Sequence, residues 1–237
     1  MNPETGFLQR LSRWLRPSRT IPITPWRSQS RWRSGPRTFT VLIVGLWLFG
    51  TGEALLVVAE LGNGPWTVLA EGVSSRTPLS IGAATFVISC LVLLLWIPLK
   101  ERPGLGTIAN AVIIAVALQV GVQVIPHPDP LWLRLVFVIT GIAAIGLGSG
   151  LYLTTNLGPG PRDGWMTGIH ERFGWPVARV RLGIEVSVLA IGWLLGGTVG
   201  LGTVLFALFI GPSVGWGLRA MDRGAVAGTD SAPEFEA

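Results

Sequence analysis

Six apolar runs, each long enough to cross a bilayer, constrain this chain more than any other feature. They fall near residues 39–59, 80–98, 105–126, 131–154, 177–196 and 201–221. At 1.5 Å per residue, about 20 helical residues cover the hydrocarbon core of a membrane. Backbone in lipid must satisfy its own hydrogen bonds, so runs of this kind fold as helices. Composition leads to the same conclusion. Of the 237 residues 49% are hydrophobic and 13% charged, against about 25% charged in a soluble domain. The expected fold class is an all-α membrane protein with six transmembrane helices. The formal net charge is +5, but the basic residues gather at the ends of apolar runs instead of forming a patch, so no nucleic-acid partner is expected. Cys90, the lone cysteine, lies inside an apolar run, which excludes a disulfide framework or a CxxC metal site.

The basic residues also orient the chain. Residues 1–37 form a tail carrying Arg10, Arg13, Arg16, Arg19, Arg27, Arg31, Arg33 and Arg37, broken by Pro17, Pro22, Pro25 and Pro36. With the amino terminus inside, 16 of the 18 Lys and Arg residues fall on the inner side; only Arg76 and Arg134 are left outside. That bias places both termini in the cytoplasm. The tail is expected to be mostly disordered. Within it Phe7, Leu8, Leu11, Trp14 and Leu15 share one helical face flanked by arginines, a pattern that suits anionic lipid but equally a tail that is merely cytoplasmic. A cleaved signal peptide is not expected, because the first apolar run starts late, is long and is followed by no small-residue cleavage site.

Shifting the chain by 96 residues superposes two punctuated patterns. Leu61, Gly62, Gly64, Pro65 and Gly72 fall on Leu157, Gly158, Gly160, Pro161 and Gly168, and Gly104-Leu105-Gly106-Thr107 falls on Gly200-Leu201-Gly202-Thr203. Each half holds three spanning runs. An odd number forces the second copy to enter from the opposite side, giving two inverted three-helix repeats about an axis in the membrane plane. The expected organisation is a tail over 1–37, repeats over 38–126 and 127–221, and a short polar tail over 222–237.

After the first span of each half comes a Gly-Pro break, at Gly62, Gly64, Pro65 and Trp66 and again at Gly158, Gly160, Pro161, Arg162 and Asp163. Glycine permits positive φ, and proline suits the first turn of a helix. A short helix follows each break, ending near Gly72 and near Phe173. Such a helix either dips into the membrane, offering free N–H groups to an anion, or lies flat at the interface. Arg162 could clamp a carboxylate or phosphate with Asp163 beside it; it would serve equally as an inside anchor. Glu53 and Glu185 lie deep in the first and fifth runs, where ionisable groups are costly and face the bundle interior. Arg181 stands one turn before Glu185, and the pair could be structural. Glu60 and Glu71 are expected to be solvated or interfacial. Glu53, Gly62, Gly64, Pro65, Trp66, Gly158, Gly160, Pro161, Arg162, Asp163, Arg181 and Glu185 form the candidate substrate-binding set. No catalytic or metal site and no cofactor is expected: His127 and His170 are the only histidines, and no GxSxG, Walker A or HExxH word occurs.

The words Leu157-Gly158-Pro159-Gly160-Pro161-Arg162-Asp163-Gly164, Arg181-Leu182-Gly183-Ile184-Glu185-Val186 and 196–203 resemble the YczE branch of the YczE/YyaS/YitT bacterial membrane proteins over roughly residues 40–220. The resemblance implies an integral inner-membrane protein of a family described as uncharacterised or assumed to transport. Where the family pattern often carries an acid after the Gly-Pro-Trp word, this chain has Thr67.

The function expected from these features is a small secondary transporter or permease-like carrier in the bacterial inner membrane. Its small-molecule substrate would present an anionic group to Arg162 or Arg181, with Glu53 or Glu185 coupling protons. Two alternatives stay open: a membrane scaffold whose glycine faces and tail bind a protein or anionic lipid, and an intramembrane enzyme built on Asp163, His170 and Glu171.

Overall fold

Helix starts in this chain are written in Gly-Pro pairs. Pro36, Pro65 and Pro161 each open a helix behind an extended glycine, Gly35, Gly64 and Gly160. Proline's fixed φ suits the first turn, and its missing N–H would have had no partner there. A computed structural model describes residues 21–229, and among them there are helices and no strands. In chain order these are α1 (Pro36–Ala59), α2 (Pro65–Arg76), α3 (Ile81–Leu94), α4 (Trp96–Leu99), α5 (Leu105–Val124), α6 (Leu131–Thr154), α7 (Pro161–Phe173), α8 (Val177–Leu194) and α9 (Leu201–Thr229).

Five spans of described helix are long and apolar enough to cross a membrane: α1, α3 with α4, α5, α6 and the stretch Leu201–Asp222 of α9. The expected fifth run of the sequence folds as α8, which is 18 residues long but carries Arg179, Arg181 and Glu185. The expected run over 80–98 folds as two pieces, because Pro98 cannot donate to the carbonyl of Leu94 and its ring crowds it. The two short helices are present, with 12 residues in α2 and 13 in α7. While α7 ends at Phe173 as expected, α2 runs past Gly72 to Arg76. Gly72 packs against α8, where a Cβ would stand 2.5 Å from the Gly192 carbonyl oxygen; it serves a helix contact instead of a stop. Helix α9 also continues beyond the expected boundary at Met221.

Several helix contacts come in corresponding pairs, although α3 packs on α5 while α8 has no comparable contact with α9. Helix α1 lies antiparallel against α6; it also packs on α5 as α6 packs on α9, and α2 meets α8 as α7 meets α3. Glycines set the α1–α6 distance: a Cβ on Gly45 would come 3.0 Å from the Gly148 carbonyl oxygen, and one on Gly52 2.7 Å from that of Gly141. At the shift of 96 these are the same contact made twice. Small residues of this kind bring backbones together where lipid offers no hydrophobic drive between helices. Outward faces carry Val112 and Val116 on α5, Ile139 on α6 and Leu208 and Phe209 on α9, all exposed, as a surface solvated by lipid tails requires.

The segment before α1 is neither helix nor strand but is firmly bonded. The Trp26 indole N–H donates to Thr154 Oγ1 at 3.0 Å, and Ser28 N–H donates to the Thr155 carbonyl at 2.9 Å. The Leu105 N–H donates to the Arg31 carbonyl at 2.8 Å, and Arg37 lies 5.5 Å from the Trp26 ring centroid. Residues 21–35 are thus strapped across the ends of α5 and α6. The amphipathic segment expected over residues 7–16 and the last eight residues of the polar tail lie outside the described residues.

Candidate functional site

Each break is built on a pair of left-handed residues. Glu60 (φ 54°) and Gly62 (φ 104°) turn the chain after α1, and Asn156 (φ 59°) and Gly158 (φ 111°) turn it after α6. The glycines are required: φ near +104° disfavours any side chain, and a Cβ on Gly62 would also meet Gly200 N at 2.5 Å. The turns are locked reciprocally. Gly202 N–H donates to the Leu61 carbonyl at 2.6 Å, and Gly106 N–H donates to the Leu157 carbonyl at 2.8 Å.

Folded back in this way, both breaks open onto one cavity of about 310 Å³, at the small end of ligand-sized pockets. Its lining includes Glu53 from α1, Pro65 to Thr67 from α2, Thr85 and Ser89 from α3, Asn110 from α5, Ser149 and Tyr152 from α6, and Arg162 and Asp163 from α7. Arg181 and Glu185 of α8 and Phe206 of α9 also face it.

Four of the five charged side chains in the cavity form two ion pairs. Glu53 is 5% exposed, and its Oε1 accepts from Arg162 Nη1 at 3.2 Å. The guanidinium carbon of Arg162 also lies 5.1 Å from the Trp66 ring centroid, a cation–π distance, and Trp66 meets Trp165 edge-on at 6.3 Å. Arg181 Nε donates to Glu185 Oε1 at 2.8 Å across one helical turn. Asp163 accepts at Oδ2 from the Tyr152 hydroxyl at 2.7 Å. Glu53 Oε2 is buried without a hydrogen-bond partner among the described residues.

Of the twelve candidate residues, Glu53, Gly64, Pro65, Trp66, Gly160, Arg162, Asp163, Arg181 and Glu185 line this cavity. Gly62, Gly158 and Pro161 stand behind it: the two glycines shape the turns, and the Pro161 carbonyl accepts from the Trp96 indole N–H at 2.9 Å. Glu71, expected to be solvated or interfacial, is instead held by the protein: its carboxylate accepts from Asn63 Nδ2 at 2.9 Å and from the Thr198 N–H and hydroxyl, both at 2.7 Å. It ties the first break to the loop before α9. Glu60 is exposed and pairs with Arg134 at 3.3 Å. His170 and Glu171 do not join Asp163 in the cavity lining. His170 is exposed and donates from Nδ1 to the Trp175 carbonyl at 2.6 Å, so Asp163, His170 and Glu171 do not cluster in this cavity. Among the described residues no group of three metal-ligating side chains converges.

Long apolar helices closed around a charged cavity define a multi-pass integral membrane protein. The chain belongs to a family of unknown function, DUF6198, whose pattern matches residues 36–219. It is similar to an uncharacterised protein of Haemophilus influenzae, 45% identical over 86% of this chain and 94% of the relative. It is also similar to the uncharacterised membrane protein YczE of Bacillus subtilis, 30% identical over 73% of this chain and 81% of the relative. The uncharacterised protein YyaS of the same organism is 24% identical over 68% and 83%. These relatives bear out the resemblance carried by the Gly-Pro-Arg-Asp words. No solved structure matches.

Proposed function

We propose that the chain is a small secondary carrier of the inner membrane whose halves are inverted copies and whose solute site is the central cavity. The observation that carries this reading is the stacking of Arg162 on Trp66, residues that correspond at the 96-residue shift. Equivalent residues of two copies touch only near the axis that relates them, and for copies inserted from opposite sides that axis lies in the membrane plane. The reciprocal bonds of Gly106 and Gly202 and the repeated helix contacts support the same relation.

On this reading α2 and α7 descend from opposite faces as re-entrant helices. Their irregular starts are tolerated because protein and a polar cavity surround them. Helix α8 is the sixth span, with Arg181 and Glu185 neutralising each other at the cavity edge. Both termini lie in the cytoplasm, following the Lys and Arg bias. Glu53 exchanges Arg162 for a proton during turnover, and Gly64 and Gly160 let backbone approach the solute. The anionic group expected to meet Arg162 or Arg181 finds each arginine already paired, so an anion enters only by breaking one of those pairs.

Reconstitution into proteoliposomes with an imposed pH gradient and an internal pH dye tests the proposal. A panel of small anionic, zwitterionic and cationic solutes is offered. At least one is expected to dissipate the gradient, and Glu53→Gln should abolish that coupled flux. A folded protein that moves no solute with or against protons would overturn the carrier reading, as would coupled flux indifferent to Glu53→Gln.

A further inference from the structure

The charged lining of the cavity does not balance. Arg162 is matched by Glu53 and Arg181 by Glu185, at 3.2 and 2.8 Å. Asp163 remains, held only by the neutral Tyr152 hydroxyl, with no cationic group in ion-pair range among the described residues. Counted formally, the lining holds three acidic side chains against two basic ones. It also holds an unused acceptor, the buried Glu53 Oε2. A buried carboxylate oxygen without a donor is costly, and the group that relieves it must bring an N–H or O–H donor.

One such group is already half-engaged. The Arg162 guanidinium sits between a carboxylate and the face of Trp66, the arrangement by which proteins hold organic cations. It reaches that slot from within the chain, as a ligand would from solution. Apolar walls from Ile114, Met166, Phe206 and Ile210 suit an organic body more than a hydrated metal ion.

We infer that the cavity binds a small organic cation bearing an ammonium or guanidinium group, which takes Glu53 and the Trp66 face in place of Arg162 and is balanced by Asp163. This deepens the carrier reading and rests on it for direction and coupling, but the binding step stands apart from transport. Arg162 then acts as a competing internal occupant. Its removal strengthens binding, whereas an anion site built on Arg162 would be destroyed by the same change.

Isothermal titration calorimetry on the full-length protein in nanodiscs, at constant ionic strength, tests this with methylammonium and methylguanidinium against acetate and methyl phosphate. The wild type is expected to bind one of the cations and neither anion. Arg162→Gln should tighten cation binding roughly tenfold or more, since it frees a buried carboxylate. Asp163→Asn should weaken it by a similar factor. The double variant Glu53→Gln/Arg162→Gln, which removes both members of the buried ion pair together and so strands neither of them, should lose the cation. Binding of an anion without a cation overturns the inference, as does weaker cation binding in Arg162→Gln or unchanged binding in the double variant. A cation that binds but never crosses proteoliposomes leaves this inference standing and removes the carrier. Coupled flux of an anion, with no cation bound, does the reverse.

Discussion

Glu101, in the loop between α4 and α5, shows how a charge outside the membrane works against its own fold. Burial and the neighbouring charge of Glu171 raise its pKa above 4.5, outweighing the opposing pull of Arg31 and of a backbone hydrogen bond at Arg102. For an acid whose folded pKa is raised, the native state holds the proton more tightly than the unfolded chain. Stability therefore improves as pH falls through the folded value, and the ionised group opposes the fold at every pH above it. Glu101→Gln is expected to raise the melting temperature near neutral pH, with the gain shrinking to nothing below the ordinary glutamate value. Glu171→Gln should give part of the same gain. Scanning fluorimetry across a pH series checks both, and a gain that grows on acidification would contradict the assignment. Single residues were legible in the sequence where charge interrupts apolar runs, which is how Glu53 and Arg162 stood out. Their partnership was not, because it joins residues 109 apart through a loop that folds back. Tyr152, the single tyrosine of the chain, and Asn110 went unnoticed because uncharged polar side chains are ordinary in a spanning helix. Only the rarity of the tyrosine offered a signal.

At the scale of elements, glycine was the most readable residue and also the most ambiguous. Gly62 and Gly183 separate its two uses. Gly62 holds φ 104°, and a Cβ would meet Gly200 N at 2.5 Å and Thr203 Oγ1 at 2.6 Å. Gly183, within α8, has nothing within 4 Å of that position. Gly62→Ala is expected to destabilise the protein by about 2 kcal/mol or more, through backbone strain and a displaced neighbour. Gly183→Ala should be neutral or stabilising by up to about 1 kcal/mol, the helix-propensity difference. Detergent-induced unfolding followed by tryptophan fluorescence measures both, and equal effects would deny the turn its special role. The two breaks were legible because Gly-Pro pairs interrupt helices in any context. The end of α2 was not, because Gly72 reads as a stop locally and acts as a contact for α8 tertiarily. The strap over residues 21–35 was missed for a related reason: its prolines exclude helix but cannot reveal hydrogen bonds to Thr154 and Thr155, more than a hundred residues away.

For the whole molecule, the decisive quantity is the side of the membrane on which equivalent residues lie. Six apolar runs were legible from hydropathy, and five of them fold as helices apolar enough to cross; the remaining one, the fifth in chain order, which folds as α8, is made ambiguous by Arg179, Arg181 and Glu185. If α8 spans, each half crosses three times and the copies oppose each other. If it lies on the surface, the second half crosses twice and the carboxy terminus changes sides. Thr77 follows α2, and Phe173 ends α7 at the corresponding position; both are exposed. In a background with Cys90 replaced by alanine, Thr77→Cys should react with a membrane-impermeant thiol reagent on intact cells, and Phe173→Cys only after permeabilisation. A cysteine after Asp222 should behave like Phe173→Cys. Thr77 and Phe173 labelled from one side would place both short helices on one leaflet. The contact of Trp66 with Arg162 would then be a lateral one between interfacial helices, and the cavity between them would open to one compartment alone. Opposite labelling instead leaves a charged chamber met by two half-helices from two sides, the geometry that alternating access requires.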